Sequence, residues 1–291
     1  MHINTFSIVA YDPAENAFGV GVASKFLAVG AVVPWAKAGI GAVATQAYCK
    51  MSFGADGLAL MAQGKSAPET LEILLHNDPL LEQRQVGLVD NQGRSAAHTG
   101  KDCFNWAGHR TYDGFTCQGN ILAGASVIEA MASAYRSAQG ELADRLLAAL
   151  FAGDEAGGDR RGKQAAAVLV VRANGGYGGD TDRYLDLRSD DDPKPIAKLA
   201  DLIQMHHLYF GKPKPEDRLP IHEALAREIQ ALMRSAGYVS SEASGIWDDA
   251  SKVAFNAMIG SENLEERWRH DDPNVIDRIA LDYLRGKFGT K

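Results

Sequence analysis

The chain has 291 residues, of which 46% are hydrophobic and 23% are charged. These shares are those of a folded globular protein, and they exclude a disordered chain, a collagen repeat and a small disulfide scaffold. The formal net charge of −7 comes without any basic block, so neither a nucleic acid nor a membrane surface is expected as a partner.

The first 45 residues predict three strands. Residues 5–10 (TFSIVA) are β-branched and aromatic, and a turn at Asp12-Pro13 leads into residues 18–24 (FGVGVAS), so these two segments read as a hairpin. Residues 39–45 (GIGAVAT) likewise combine small residues with β-branched ones and predict the third strand. Glycines inside such strands allow another backbone or a substrate to come close.

Helices and antiparallel strands follow. Residues 54–63 and 67–76 have helical periodicity, and the second helix is preceded by Ser66 as a predicted N-cap, with Pro68 and Glu69 in its first turn. Strands are then predicted at 84–89, 94–98, 105–110 and 115–118.

The order of the later elements decides the fold class. Helices are predicted at 125–137 and 141–152, strands at 164–171 and 184–187, and a closing helix at 195–209. Strands, helices, strands and a helix in this order fit two stacked sheets covered by helices better than a doubly wound parallel sheet. The sequence therefore predicts an α+β protein with a four-layer αββα sandwich.

A proline-bearing charged segment, residues 210–217, reads as a linker. Beyond it, residues 221–235, 248–258 and 273–288 predict a small three-helix module. We therefore expect two domains, at residues 1–212 and 213–291.

Several long segments resemble domain-of-unknown-function family 1028 over residues 5–211. They are TFSIVAYDPAENAFGVGVASKF, AVGAVVPWAKAGIGAVATQA, CQGNILAG, GGDRRGKQAA and GGYGGDTDRYLDLR. The resemblance implies the N-terminal-nucleophile hydrolase fold, an αββα sandwich. It implies the fold more directly than the chemistry.

The C-terminal region is similar to peptidoglycan-binding-like modules over roughly residues 220–260. The similarity is carried by EIQALMRSAGY (228–238) and SGIWDD (244–249). We expect this module to be a docking or dimerisation unit, and the protein to be a homo-oligomer.

Thr5 is the candidate nucleophile that the resemblance implies. An N-terminal-nucleophile enzyme uses the hydroxyl of its first mature residue, and the freed α-amine, with a pKa near ~7.7, acts as the base. His2-Ile3-Asn4 precede Thr5, so this chemistry requires cleavage after Asn4. The alternative is that Thr5 is only a β-branched residue opening a buried strand.

Polar residues at the ends of the other early strands complete the candidate site. Lys25 would lower the pKa of a neighbour or act as a base after losing its proton, and Ser24, Thr45 and Gln46 would contact the substrate. The alternative for Lys25 is a lysine in solvent at the end of a strand. The alternative for the other three is that they only form hydrogen bonds at strand ends. Ser24 assisted by Lys25 is a further candidate nucleophile.

Two loops supply the remaining candidates. Asn120 follows a predicted strand and could donate to an oxyanion, or it could cap the following helix. Asp159, Arg160 and Arg161 precede another strand, where a guanidinium could clamp a substrate carboxylate. Internal ion pairing is the alternative for this trio.

No metal or cofactor is expected, because the histidines and Cys49, Cys103 and Cys117 lack metal-ligand spacing. Cys117 could be a nucleophile, but a lone buried cysteine usually acts as a small apolar residue, and we expect this of Cys117. Three unpaired cysteines and the absence of a signal peptide or of an ~18-residue apolar run point to the cytoplasm.

The sequence therefore leaves two functions open. The first is hydrolysis of a small amide or short peptide by a processed Thr5, with Lys25, Asn120 and Arg160 or Arg161 in support. The second is a non-catalytic binding or assembly protein on the same fold.

Overall fold

The computed structural model describes residues 2–3, 5–268 and 272–289. The chain divides into two compact units, Met1–Ile203 and Gln204–Lys291. The boundary at 212/213, inferred from the linker, remains a prediction. In the described parts of the chain, no helix has the length and apolar character needed to cross a membrane.

The N-terminal unit contains eleven described strands. Their bounds are β1 His2–Ile3, β2 Thr5–Asp12, β3 Ala17–Ser24, β4 Pro34–Lys37, β5 Gly41–Tyr48, β6 Arg84–Asp90, β7 Ser95–Thr99, β8 Gly108–Tyr112, β9 Phe115–Gly119, β10 Ala165–Val171 and β11 Arg183–Ser189. One sheet has the order β1-β5-β6-β7, with β4 also paired to β5. The other has the order β11-β10-β3-β2-β9-β8. Every pairing is antiparallel.

Four helices accompany these strands, and a fifth begins in this unit and runs past its last residue, Ile203. They are α1 Ser52–Ala62, α2 Ala67–Leu75, α3 Ala125–Ser137, α4 Leu142–Glu155 and α5 Pro195–Phe210. Helix α2 begins with the predicted cap, since the Ser66 side chain accepts from the Glu69 N–H and the Glu69 carboxylate accepts from the Ser66 N–H. This capping box confirms the prediction for that helix start.

Side-chain alternation along the strands places the core of this unit. Phe6 and Ile8 of β2 pack in a cluster with buried residues of α3, α4 and α5, whereas Val9 packs in a cluster that contains residues of both sheets. A third cluster joins Val43 of β5 to residues of β6, α1 and α2. Because successive side chains of a strand point to opposite faces, each sheet is buried on both faces.

The strand predicted at 105–110 begins three residues later, at Gly108. Residues 104–107 form a loop instead, in which the carbonyls of Phe104 and Trp106 accept from the N–H groups of Ile121 and Leu122. Strands β1 and β4 were not predicted. Both are very short, four residues or fewer, and such segments carry little periodic signal.

The C-terminal unit contains helices α6 Glu223–Ser235, α7 Asp249–Ser261 and α8 Arg278–Phe288. The helix predicted from residue 273 begins later because Asp277 is its N-cap, accepting from the N–H groups of Ile279 and Ala280. Strands β12 Arg218–Pro220 and β13 Val275–Asp277 pair with each other. The described chain is thus a mixed α+β structure with eight helices and a mainly helical C-terminal unit.

Candidate functional site

Thr5 lies where the chain passes from one sheet to the other. His2 and Ile3 pair with Tyr48 and Ala47 in the first sheet, and Thr5 pairs with Ser24 in the second. Asn4, after which cleavage would have to occur, lies outside the described residues. The first residue of a central strand is therefore preceded by a short segment held on another sheet.

Buried hydrogen bonds hold Thr5 in place. Its Oγ1 donates to Ser24 Oγ at 3.1 Å. Its carbonyl oxygen accepts from the Asn120 N–H at 3.0 Å and from Gln46 Nε2 at 3.4 Å. Thr5 is 0% exposed, so its hydroxyl is positioned but covered in this state.

A network of buried side chains extends from Thr5 between the two sheets. Gln118 Nε2 donates to Ser7 Oγ at 2.7 Å, and Ser7 Oγ donates to Gln46 Oε1 at 2.7 Å. Gln85 Oε1 then accepts from Gln46 Nε2 at 2.8 Å and from Asn120 Nδ2 at 2.9 Å. We call these five residues the amide network. It fixes the orientation of Gln46 and Asn120, which both donate to the Thr5 carbonyl oxygen.

Gln85 is tied to the surrounding strands as well. Its Nε2 donates to the Gly119 carbonyl at 2.7 Å and to Thr99 Oγ1 at 2.9 Å. Gly87, two residues on, leaves room for the network, because a Cβ there would lie 2.2 Å from Gln118 Oε1. Close packing of this kind makes the network rigid.

Three members of this network, Ser7, Gln85 and Gln118, are not among the site residues predicted from the sequence. Each lies inside an apolar strand at an alternating position, and each is fully buried. A buried polar residue in a strand must find a partner. Ser7 and Gln118 could have been found from this period of two, since they lie two residues from Thr5 and Asn120. Gln85 has no such neighbour in its own strand and comes to the site through its pairing with Gln46.

Lys25 and Thr45 are not brought to the Thr5 hydroxyl. Lys25 is exposed, and its Nζ donates to the Lys163 carbonyl at 3.3 Å. Thr45 Oγ1 donates to the Lys50 carbonyl at 3.2 Å, on the face of β5 opposite to Gln46. The Ser24 and Lys25 side chains are likewise separated, because Ser24 shares the face of Thr5.

The trio at 159–161 divides into a structural pair and an arginine at a cavity. Asp159 Oδ2 accepts from Arg161 Nη2 at 2.7 Å and from the Lys25 N–H at 3.0 Å. Arg161 and Asp159 thus form the internal ion pair that was the alternative reading. Arg160 is exposed, and its side chain lines a surface cavity with Ile121.

Both the backbone N–H and the side-chain Nδ2 of Asn120 donate hydrogen bonds to neighbouring residues. Its N–H holds the Thr5 carbonyl, and its Nδ2 donates to Gln85 Oε1. It does not cap helix α3, whose N-cap is Gly124. Its role as an oxyanion donor remains a prediction.

The cysteines of this region do not offer a thiolate at neutral pH. Cys117 is fully buried in the cluster beneath α3 and α4, and burial raises the pKa of its thiol. Burial also raises the pKa of Cys103 to about 11. Among residues 5–268 and 272–289, no group of three or more His, Cys, Asp or Glu side chains could hold a metal ion.

Comparisons with known proteins agree on the family. A crystal structure of protein SPO2555 from Silicibacter pomeroyi, itself of family DUF1028, is 30% identical with a TM-score of 0.65, covering 70% of this chain and 86% of that one. No curated protein matches the sequence. Residues 209–284 match the family described as "Putative peptidoglycan binding domain". Residues 5–199 match the model described as "Family of unknown function (DUF1028)", and the chain belongs to this family.

Proposed function

We propose that the chain is the precursor of an N-terminal-nucleophile hydrolase acting on a small amide or short peptide, with Thr5 as nucleophile. The corresponding fold is the four-layer αββα sandwich. Its support is the packing of the three clusters: one beneath α3 and α4, one between the sheets, and one beneath α1 and α2.

The observation that carries the proposal is the placement of the Thr5 hydroxyl. Its Oγ1 is held 3.1 Å from Ser24 Oγ, on the first residue of a central strand. His2 and Ile3 belong to a different sheet. Breaking the Asn4–Thr5 bond would leave the α-amine next to a hydroxyl that is already oriented.

The chemistry then follows from the freed amine. The Thr5 amine takes the proton of Oγ1 as the oxygen attacks the substrate carbonyl carbon, and the same proton passes to the leaving nitrogen as the amide bond breaks. Water, deprotonated by the amine, hydrolyses the resulting ester and restores the hydroxyl. An α-amine with a pKa near ~7.7 suits both transfers.

In this proposal Ser24 is the residue that orients the nucleophile, while Gln46 and Asn120 hold the Thr5 carbonyl. Lys25 would contribute only if its ammonium left the Lys163 carbonyl. Asn120 would donate to an oxyanion only if cleavage moved the Thr5 carbonyl.

The test compares the full-length protein with a variant that begins at Met-Thr5, from which methionine removal exposes the threonine. We expect intact mass to reveal Thr5 as the first residue of the active species, and hydrolysis of small amides by that species. Thr5→Val should abolish hydrolysis and Thr5→Ser should retain it. Thr45→Val is the matched control, since Thr45 points away from the site. Hydrolysis by protein that still carries Met1 to Asn4 would contradict the proposal.

The second candidate is a binding or assembly protein without a nucleophile. It is favoured by the complete burial of Thr5, 0% exposed. Under this alternative the N-terminal segment is retained, and Thr5→Val changes neither ligand binding nor assembly.

The C-terminal unit supports an assembly role in either candidate. Ile246 and Val253 are 67% and 70% exposed, more than any other large apolar side chain in the described part of this unit, which makes them the candidates for a contact with a second copy. We expect Ile246→Asp with Val253→Asp to dissociate a homo-oligomer in light scattering, and Ile73→Asp, at a 44% exposed position of α2, to leave it intact. Binding of the full chain to peptidoglycan instead would assign the unit the ligand named in its family's description.

A further inference from the structure

A cavity of about 510 Å³ opens at the surface of the N-terminal unit. Its walls come from the loop between β7 and β8 and from the segments that follow β9 and precede β10. The side chains that matter here are those of Lys101, Phe104, Asn105, Ile121 and Arg160. A volume of this size is in the range of small-molecule sites.

Backbone hydrogen bonds connect the cavity to Thr5. The Asn120 N–H donates to the Thr5 carbonyl, and Ile121, the next residue, forms part of the cavity wall. Ile121 in turn donates its N–H to the Phe104 carbonyl and accepts from the Arg160 N–H at 3.0 Å. Ile121 in the cavity wall therefore directly follows Asn120, the residue whose N–H holds the Thr5 carbonyl.

Ile121 also has a backbone conformation that β-branched residues rarely adopt, with φ of 52°. Such strain costs on the order of 1–3 kcal/mol and persists where surrounding structure enforces it, commonly at ligand sites. The backbone hydrogen bonds of Ile121 to Phe104 and Arg160, and that of the preceding Asn120 to Thr5, supply that enforcement.

The charges around the cavity favour a single negative charge in the ligand. Lys101 and Arg160 are both exposed, and neither has an ion-pair partner among the described residues. Asp102 is the one acidic residue among those that line the cavity, so the lining carries one net positive charge, while the Glu82 carboxylate accepts from the Lys101 N–H next to it. Phe104, 53% exposed, adds an apolar surface beside the cations.

We propose that this cavity is the carboxylate subsite of the hydrolase, and that the substrate class is an N-acylated amino acid or a peptide ending in a free carboxylate. Arg160 offers the planar fork that matches a carboxylate, and Lys101 adds a second positive charge. An apolar part of the substrate packs on Phe104. A phosphate dianion fits less well, because it would face Asp102 with only two cations. This inference rests on the proposed function for the identity of the reaction, but not for binding.

The test measures binding alone, in the full chain carrying Thr5→Val so that no turnover occurs. The probes are N-benzoylglycine and N-benzoylglycinamide, which differ only in the carboxylate. Calorimetry at low, constant ionic strength should give about tenfold tighter binding of the carboxylate, the size expected for a charge-assisted contact at a partly open site.

Lys101→Gln with Arg160→Gln should bring the two probes to equal affinity. Lys37→Gln with Lys65→Gln is the matched control, since it removes two exposed positive charges outside the cavity and should preserve the tenfold preference. Thermal melts check that both double variants are folded.

Equal affinity of the two probes for the parent protein, or no binding at the highest soluble concentration, would overturn the subsite. So would an undiminished preference in the Lys101 and Arg160 variant. A carboxylate preference that depends on these residues, in a chain that never frees Thr5 or hydrolyses an amide, would uphold the subsite and refute the proposed reaction.

Discussion

The space between the two sheets has two regions of opposite chemistry. One is apolar, with Phe18, Val20 and Val22 of β3 facing Ala42 and Ala44 of β5. The other is the amide network, in which each side chain is held by hydrogen bonds to its neighbours. In the first region the two sheets pack on each other through apolar contacts alone. Hydrogen-bonded amides occur instead where the strands approach Thr5.

This difference separates what stabilises the fold from what positions the site. Apolar burial stabilises by roughly 25 cal/mol per Å², whereas a buried hydrogen bond contributes only about 0.5–1.5 kcal/mol net and an unmade one costs more. The amide network is therefore a poor source of stability. Its physical effect is to fix orientation around Thr5.

The apolar region should give the largest effect on stability. Phe18 is fully buried and stacks on Tyr11 at 4.7 Å between ring centroids. We expect Phe18→Ala to lower the free energy of unfolding by about 3–5 kcal/mol, because it removes a large buried side chain and leaves a cavity. Urea denaturation measures this. Phe104→Ala, the same change at a half-exposed position, should stay within about 0.5 kcal/mol, and equal effects would refute the contrast.

The amide network should respond less, but in a specific way. Gln85→Met keeps the size of the side chain and leaves Gln46 Nε2, Asn120 Nδ2 and Thr99 Oγ1 without their Gln85 partner. We expect a loss of about 2–3 kcal/mol, since unmade buried hydrogen bonds cost about 1–3 kcal/mol.

Amides do not titrate, and burial lowers the pKa of His109, the other partner of Thr99, below its usual 6.5, so this loss should be the same from pH 7 to pH 8. Gln63→Met, at an exposed position after α1, is the control and should be close to neutral. A loss in Gln85→Met that varied with pH would show that charged groups, rather than the amides, hold this region.

The smallest effect is expected at the exposed cap of α2. Hydrogen bonds from the Ser66 hydroxyl and N–H lower the pKa of Glu69 below its usual value of 4.5. A lowered carboxyl pKa contributes stability that is present above the unfolded value and is lost as the pH falls through the folded value.

Glu69→Gln should therefore be slightly less stable than the parent at neutral pH and equal to it near pH 3. Unfolding curves across that range measure the difference. Ser66→Ala, which removes the hydroxyl donor but keeps the N–H, should reduce the dependence. A difference that grew towards low pH would have the wrong sign for this mechanism.

The sequence predicted most elements of the fold but only part of the site. Periodicity located α3 at residues 125–137, as observed, because helical repeats depend on local pattern. The contacts of Thr5 with Ser24, Gln46 and Asn120 depend instead on which strands pair. Phase along each strand would have separated Gln46 from Thr45 and Ser24 from Lys25, since alternate side chains face opposite sides.

The cavity could not be predicted from the sequence either, because its wall depends on contacts between distant segments. Nothing in the local sequence indicates that Lys101 and Arg160 line one cavity, as they come from separate loops. Likewise, Arg161 pairs with Asp159 whereas Arg160 lines the cavity, and this distinguishes two adjacent arginines that look alike in the sequence.

The order of strands in the six-stranded sheet has a consequence for synthesis on the ribosome. The first hairpin, β2 and β3, lies at its centre, yet Ile8 pairs with Cys117 and Val20 pairs with Leu169. The hairpin therefore emerges with both edges unpaired and stays so until much of the unit has been translated. Such long-range pairing is slow and leaves strand edges open to other chains. The nascent protein should consequently depend on chaperones until β9 and β10 have been made.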